Sequence, residues 1–185
     1  MYVDRHEIKA RTGDAPITRV SAKEYLRVEP TYTRDDNVID RIIGAVQDRV
    51  ETYTGRLLQP ATVVAYPNQW SQCYTLPGYP IQAFTSVKYR TPAGTETTVP
   101  TDQYELKKGL IPTELTFTED FDYPASIKIE IHYTAGYTDA DDIPQGIYGL
   151  MWHMIYQQYD HRADGVSEKM TVSDKQMERY KITFY

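Results

Sequence analysis

Apolar residues recur at three- and four-residue spacing in two stretches of this chain, and alternate with polar ones in the stretch between. In the first, Val38, Ile39, Ile42, Ile43, Val46, Val50 and Tyr53 fall on one face of a helix predicted over residues 35–54. Thr33-Arg34-Asp35-Asp36 puts acidic side chains at the positive end of its dipole, and Gly55 supplies a stop. The second stretch opens at Pro144, a residue favoured in a first helical turn, and predicts a helix to residue 160. Asp139, Asp141 and Asp142 precede it and complement its dipole. Here Ile147, Leu150, Met151, Met154 and Ile155 form one stripe, and Tyr148, Trp152, Tyr156 and Tyr159 form another beside it. Only Gly149, His153 and Gln157 remain as a polar strip. A helix apolar around so much of its circumference is buried on more than one side. That second side is either the interior of its own domain or a neighbouring subunit, and the four aromatic residues are the candidate subunit-interface anchors.

From Pro60 the period changes from helical to twofold. Residues 62–66, 73–76, 83–90 and 95–99 are short, rich in β-branched or aromatic residues, and separated by proline and glycine, which predicts strands. Thr91-Pro92-Ala93-Gly94 suits a type I turn, so the strands on either side form a hairpin. The clearest strand comes last: Ile127, Ile129, Ile131 and Tyr133 alternate with Lys128, Glu130, His132 and Thr134. Upstream, Ser21-Ala22-Lys23-Glu24 has the form of a capping box and predicts a short helix over 21–28, which Pro30 ends.

The fold class is therefore α+β: a small helical domain, with two N-terminal helices and one C-terminal helix, brackets a β-rich middle of short, mostly antiparallel strands between residues 60 and 134. Residues 21–161 form that domain and residues 1–20 an N-terminal extension. Past Asp160 the apolar pattern fails, and residues 162–185 are expected to form an extended C-terminal arm. Its end, Tyr180-Lys181-Ile182-Thr183-Phe184-Tyr185, has β character, and Tyr180, Ile182, Phe184 and Tyr185 are the candidate docking residues. The alternative is a short helix over residues 174–180 packed on its own domain.

Composition narrows the class of function. The net charge is −6, with four Lys/Arg against three Asp/Glu in residues 1–20 and five against four in residues 162–185, so the intervening body carries −8. Nucleic-acid phosphates are bound by clustered Lys/Arg, and an acidic body repels them. Seventeen tyrosines are enough to furnish interfaces as well as strands. With Cys73 alone there is no intrachain disulfide, as expected of folding in a reducing cytoplasm. The longest mostly apolar run, Ile147 to Tyr156, falls far short of a membrane span of about 18 residues, so no membrane role is expected. The charged first twenty residues leave no room for an apolar signal region.

Catalytic chemistry is not legible. The chain has no phosphate-binding glycine loop, no dinucleotide turn, no nucleophile elbow and no zinc-protease helix. The histidines at 6, 132, 153 and 161 make no ligand pair on a common helical face, and the triple-Asp cluster before Pro144 lacks the regular ligand spacing of a calcium loop. Cys73, in a strand-like run, reads as a small buried hydrophobe. No catalytic, cofactor-binding or metal-binding residues are expected.

The order of these segments resembles the head-to-tail connector proteins of tailed phages, also called adaptor or head-completion proteins. The short helix at 21–28, the helix running into Glu51-Thr52-Tyr53-Thr54-Gly55-Arg56, the Ile131-His132-Tyr133-Thr134-Ala135-Gly136-Tyr137 segment, Ile143-Pro144, and the helix closing near Tyr159-Asp160-His161-Arg162 carry the resemblance. It covers about residues 21–162. It implies a non-catalytic virion neck protein, forming a ring of 12 copies beneath the portal protein. Such a ring extends the channel through which genomic DNA passes without specific binding, and offers a platform to the next neck or tail protein, be it a stopper, tail terminator or tail tube. A stopper-like tail-completion protein, or a small enzyme of unrecognised chemistry, are the competing readings.

Overall fold

The alternating and helical patterns segregate into two units in a computed structural model, which describes residues 1–3, 5–107, 111–160 and 171–182. One unit draws on residues 1–13, 59–136 and 182–185, the other on residues 14–58 and 137–181.

The first unit holds the strands. A five-stranded antiparallel sheet has the order β1-β2-β8-β4-β5, from β1 (His6–Arg11), β2 (Ala61–Ala65), β8 (Lys128–Ala135), β4 (Ile81–Arg90) and β5 (Glu96–Thr98). A three-stranded sheet sets β3 (Cys73–Thr75) beside β7 (Glu114–Phe117) and β6 (Tyr104–Lys107). In β8 the predicted alternation holds: Ile129, Ile131, Tyr133 and Ala135 are buried and the residues between them are not. The 91–94 turn forms as expected, with the Gly94 amide donating to the Thr91 carbonyl at 2.9 Å and Arg90 standing opposite Glu96. Around Phe117 a cluster of rings includes Trp70, Phe121 and Tyr123, and the Trp70 indole nitrogen donates to the Pro124 carbonyl at 2.7 Å.

Residues 1–20 differ from the expected extension. β1 pairs antiparallel with β2, His6 opposite Ala65 and Arg11 opposite Ala61, while the Met1 carbonyl and Val3 amide bond to Thr75. Every residue of β1 is exposed, so its sequence carries no buried alternation to betray it.

The second unit is helical: α1 (Arg19–Leu26), α2 (Asp36–Thr54), α3 (Gln145–Asp160) and α4 (Thr171–Glu178). Its core joins Ile39, Ile42, Ile43, Val46 and Val50 of α2 to Ile147, Leu150, Met151, Met154 and Ile155 of α3, with Ile17, Ala22 and Met177. α2 and α3 lie within a residue of their predicted bounds. For α1 the cap is corrected: Thr18 is the N-cap, the Ser21 amide donates to its hydroxyl, and the Ser21 hydroxyl accepts from the Thr18 amide, so the box sits three residues before the Ser21–Glu24 pair. Arg27, left-handed at φ 55°, ends the helix before Pro30 can. In the C-terminal segment the helical alternative holds for Thr171–Glu178. Residues 161–170, Phe184 and Tyr185 lie outside the described residues.

Candidate functional site

The aromatic stripe of α3 turns mainly toward its own unit. The Trp152 ring packs on Tyr25 of α1 at 4.8 Å between centroids and meets Tyr148 edge-on at 5.9 Å. The Tyr148 hydroxyl donates to the Pro16 carbonyl at 3.4 Å, and the Tyr159 hydroxyl to Asp35 at 2.6 Å. These three rings are half-buried at the rim of the helical core. Tyr156 alone of the four is exposed, at 49%. As subunit anchors, Tyr148, Trp152 and Tyr159 are thus already engaged, because α1 and the start of α2 supply their second side, and Tyr156 is the one with open surface.

Ion pairs hold α1 to the start of α2. Lys23, 6% exposed, donates to the Pro30 and Tyr32 carbonyls and pairs with Asp36 at 2.5 Å. Arg19 donates from Nε to Asp40 at 2.7 Å and reaches Asp36 at 3.4 Å. The hydrogen bond from Arg19 holds the Asp40 carboxyl below its usual pKa. At the other end of α2, buried Glu51 accepts from Gln47 and from the Leu58 amide, closing the chain after Gly55.

Of the expected docking residues, Tyr180 packs against the helical core with its carbonyl accepting from Arg56 at 2.9 Å. Glu178 accepts from the Tyr53 hydroxyl at 2.6 Å, and Ile182 is 5% exposed. Met177 at 0% explains the anchoring: once α4 forms, its apolar residue has a core to enter.

Laying α4 along α3 leaves an open cleft of about 520 Å³ lined by Gly146, Gly149, Leu150, His153, Gln176, Arg179 and Tyr180. A Cβ on Gly146 would run into the Tyr180 phenol, whereas one on Gly149 would meet nothing within 4 Å. Sequence reasoning missed Gln176 and Arg179 here; the one available signal was a glycine interrupting an otherwise strong helix.

In the strand unit, Arg5, Lys9 and Lys128 stand 5.2–5.9 Å from the centre of the Tyr66 ring, with Glu7 bonded to Lys9 at 2.5 Å. His132 lies against Glu130 at 3.0 Å; burial pushes the Glu130 carboxyl up, but its bonds from Lys128 and His132 outweigh that and leave it lowered. Cys73 is half-buried beside the Thr116 hydroxyl. Asp139 accepts from the Asp141 amide in a single helical turn, a local cap. Among the described residues no group of three His, Cys, Asp or Glu is placed to hold a metal ion, and no helix is long and apolar enough to cross a membrane.

No protein-family model and no curated protein matches the chain. Solved structures do. A chain in the neck of an empty gene transfer agent (GTA) particle, computed with C6 symmetry, has a TM-score of 0.77 at 19% identity, over 95% of this chain and 96% of that one. One in the virion of a native GTA particle reaches 0.78 at 18%, over 97% and 96%, and one in the native neck computed with C12 symmetry reaches 0.73 at 19%, over 95% and 96%. What this chain shares with those particle chains, across nearly the whole of each, is its fold.

Proposed function

We propose that the protein is a structural component of a virion neck: a ring-forming, non-catalytic connector that sits beneath the portal protein, extends the DNA channel and joins head to tail. The observation that carries this is the fold likeness to neck chains of a phage-like particle over at least 95% of both partners, in arrangements computed with sixfold and twelvefold symmetry. The order of segments in the sequence points the same way. Closed rings arise when one surface of a subunit meets a different surface of the next, and Tyr156, exposed on α3, belongs to one such surface. Below the ring the next neck or tail protein docks, and genomic DNA slides through a lumen that the acidic body keeps from holding it.

Native mass spectrometry of the full chain, alone and with a portal protein of the same particle, tests the assignment. A ring, twelvefold on the portal, is the expected result. A chain that stays monomeric at high concentration and ignores the portal, or that binds duplex DNA tightly and salt-sensitively, overturns it.

A further inference from the structure

Two glycines lie inside helices with nothing among the described residues to explain them. Gly44 is exposed in the middle of α2 and Gly149 in the first half of α3, and a Cβ at either would meet no atom within 4 Å. Glycine is among the worst residues for a helix interior, and neither position is one where the fold needs a missing side chain. Each is instead a place where another backbone has room to approach.

The surroundings of the two differ in a complementary way. Gly149 floors the α3/α4 cleft, whose rim offers Arg179, His153 and Gln176, all exposed. Arg179 makes no ion pair with a described residue. Gly44 lies with Ala45 on the ridge of α2 opposite its buried face, and Asp48, one turn on, is an exposed carboxylate without an ion pair to a described residue. One surface is concave and edged by Arg179, the other is a slim helix ridge bearing Asp48, and neither charge is ion-paired to a described residue. With a glycine on each helix at the crossing, the two backbones have room to approach toward the close end of the usual 8–10 Å separation.

The geometry points to a contact between copies of this chain: the Gly44–Ala45–Asp48 ridge of α2 enters the α3/α4 cleft of the next copy over Gly149, and Asp48 meets Arg179 and His153. Tyr156, two turns along α3 from Gly149, is exposed on the same side of that helix, beyond the residues that line the cleft. The inference rests on the ring-forming reading, to which it gives a head-to-tail contact made of two different surfaces.

The test compares the purified full chain with five variants, by sedimentation velocity and native mass spectrometry across a concentration series. Gly149→Ala is expected to raise the melting temperature by about 2–4 °C through better helix propensity, and Gly149→Leu to remain folded while weakening assembly at least about tenfold as it fills the cleft. Asp48→Arg and Arg179→Asp should each weaken assembly, and the double exchange Asp48→Arg with Arg179→Asp should restore it. Circular dichroism confirms that each variant is folded. If the wild-type chain forms rings and Gly149→Leu and both charge reversals do so equally well, this contact is wrong and the neck assignment stands. If the wild-type chain never self-associates, alone or on the portal, both fall.

Discussion

Replacing Trp152 and Tyr156 separately tells internal packing from docking surface, because the two sit one turn apart on α3 with opposite surroundings. Truncating a fully buried tryptophan to alanine removes about 3–5 kcal/mol. Trp152 is only half-buried, but it packs on Tyr25 at 4.8 Å and meets Tyr148 edge-on at 5.9 Å, and aromatic pairs add about 0.5–1.5 kcal/mol each beyond their burial. Trp152→Ala is therefore expected to destabilise the isolated chain by about 2–3 kcal/mol, a fall of roughly 5–10 °C in melting temperature for a chain of this length. Tyr156, 49% exposed and with no ring or hydrogen-bond partner among the described residues, should give a Tyr156→Ala variant within about 0.5 kcal/mol of wild type. Assembly reverses the order: per unit of folded protein, Tyr156→Ala should lose association and Trp152→Ala should not. Urea unfolding followed by far-UV dichroism gives the first number and sedimentation the second. An unchanged urea midpoint for Trp152→Ala together with lost assembly would refute the reasoning and return the whole aromatic stripe to the subunit interface.

Three further outcomes follow from single sites. Gly136 has φ +109° and a Cβ there would press on the Gln59 carbonyl, so Gly136→Ala should destabilise by more than about 1 kcal/mol, read from the urea midpoint. Lys23→Met leaves Asp36 with Arg19 alone and orphans the Pro30 and Tyr32 carbonyls, for a loss of about 2–3 kcal/mol, and faster proteolysis between α1 and α2 would report it. Asp40 has a lowered pKa in the folded chain, so its pairing with Arg19 contributes above the unfolded carboxylate range and is lost as pH falls through the folded value; the Asp40→Asn deficit, under about 1 kcal/mol for so exposed a pair, should be present at pH 7, shrink in 1 M salt and vanish in acid.

α2, α3 and β8 were legible residue by residue, because an amphipathic helix or a half-buried strand writes its own burial into its period: the stripe from Ile39 to Val50 and the alternation from Ile129 to Tyr133 are local facts. β1 was not, since a strand exposed along its length exists only through its register with β2, some fifty residues away. The α1 cap went to Thr18 rather than Ser21, two hydroxyls each able to cap its own set of following amides, with nothing in the local sequence to choose between them. The aromatic face of α3 shows the limit most plainly. Its periodicity demanded a second covering but could not say whose, and Tyr25, Pro16 and Asp35 supplied it from within for three rings, leaving Tyr156. Likewise Gly149 reads along the chain as a mere weakness in a helix. It becomes the floor of a cleft once α4 lies beside α3, because a concavity belongs to no single segment and arises only where two elements pack and leave space between them.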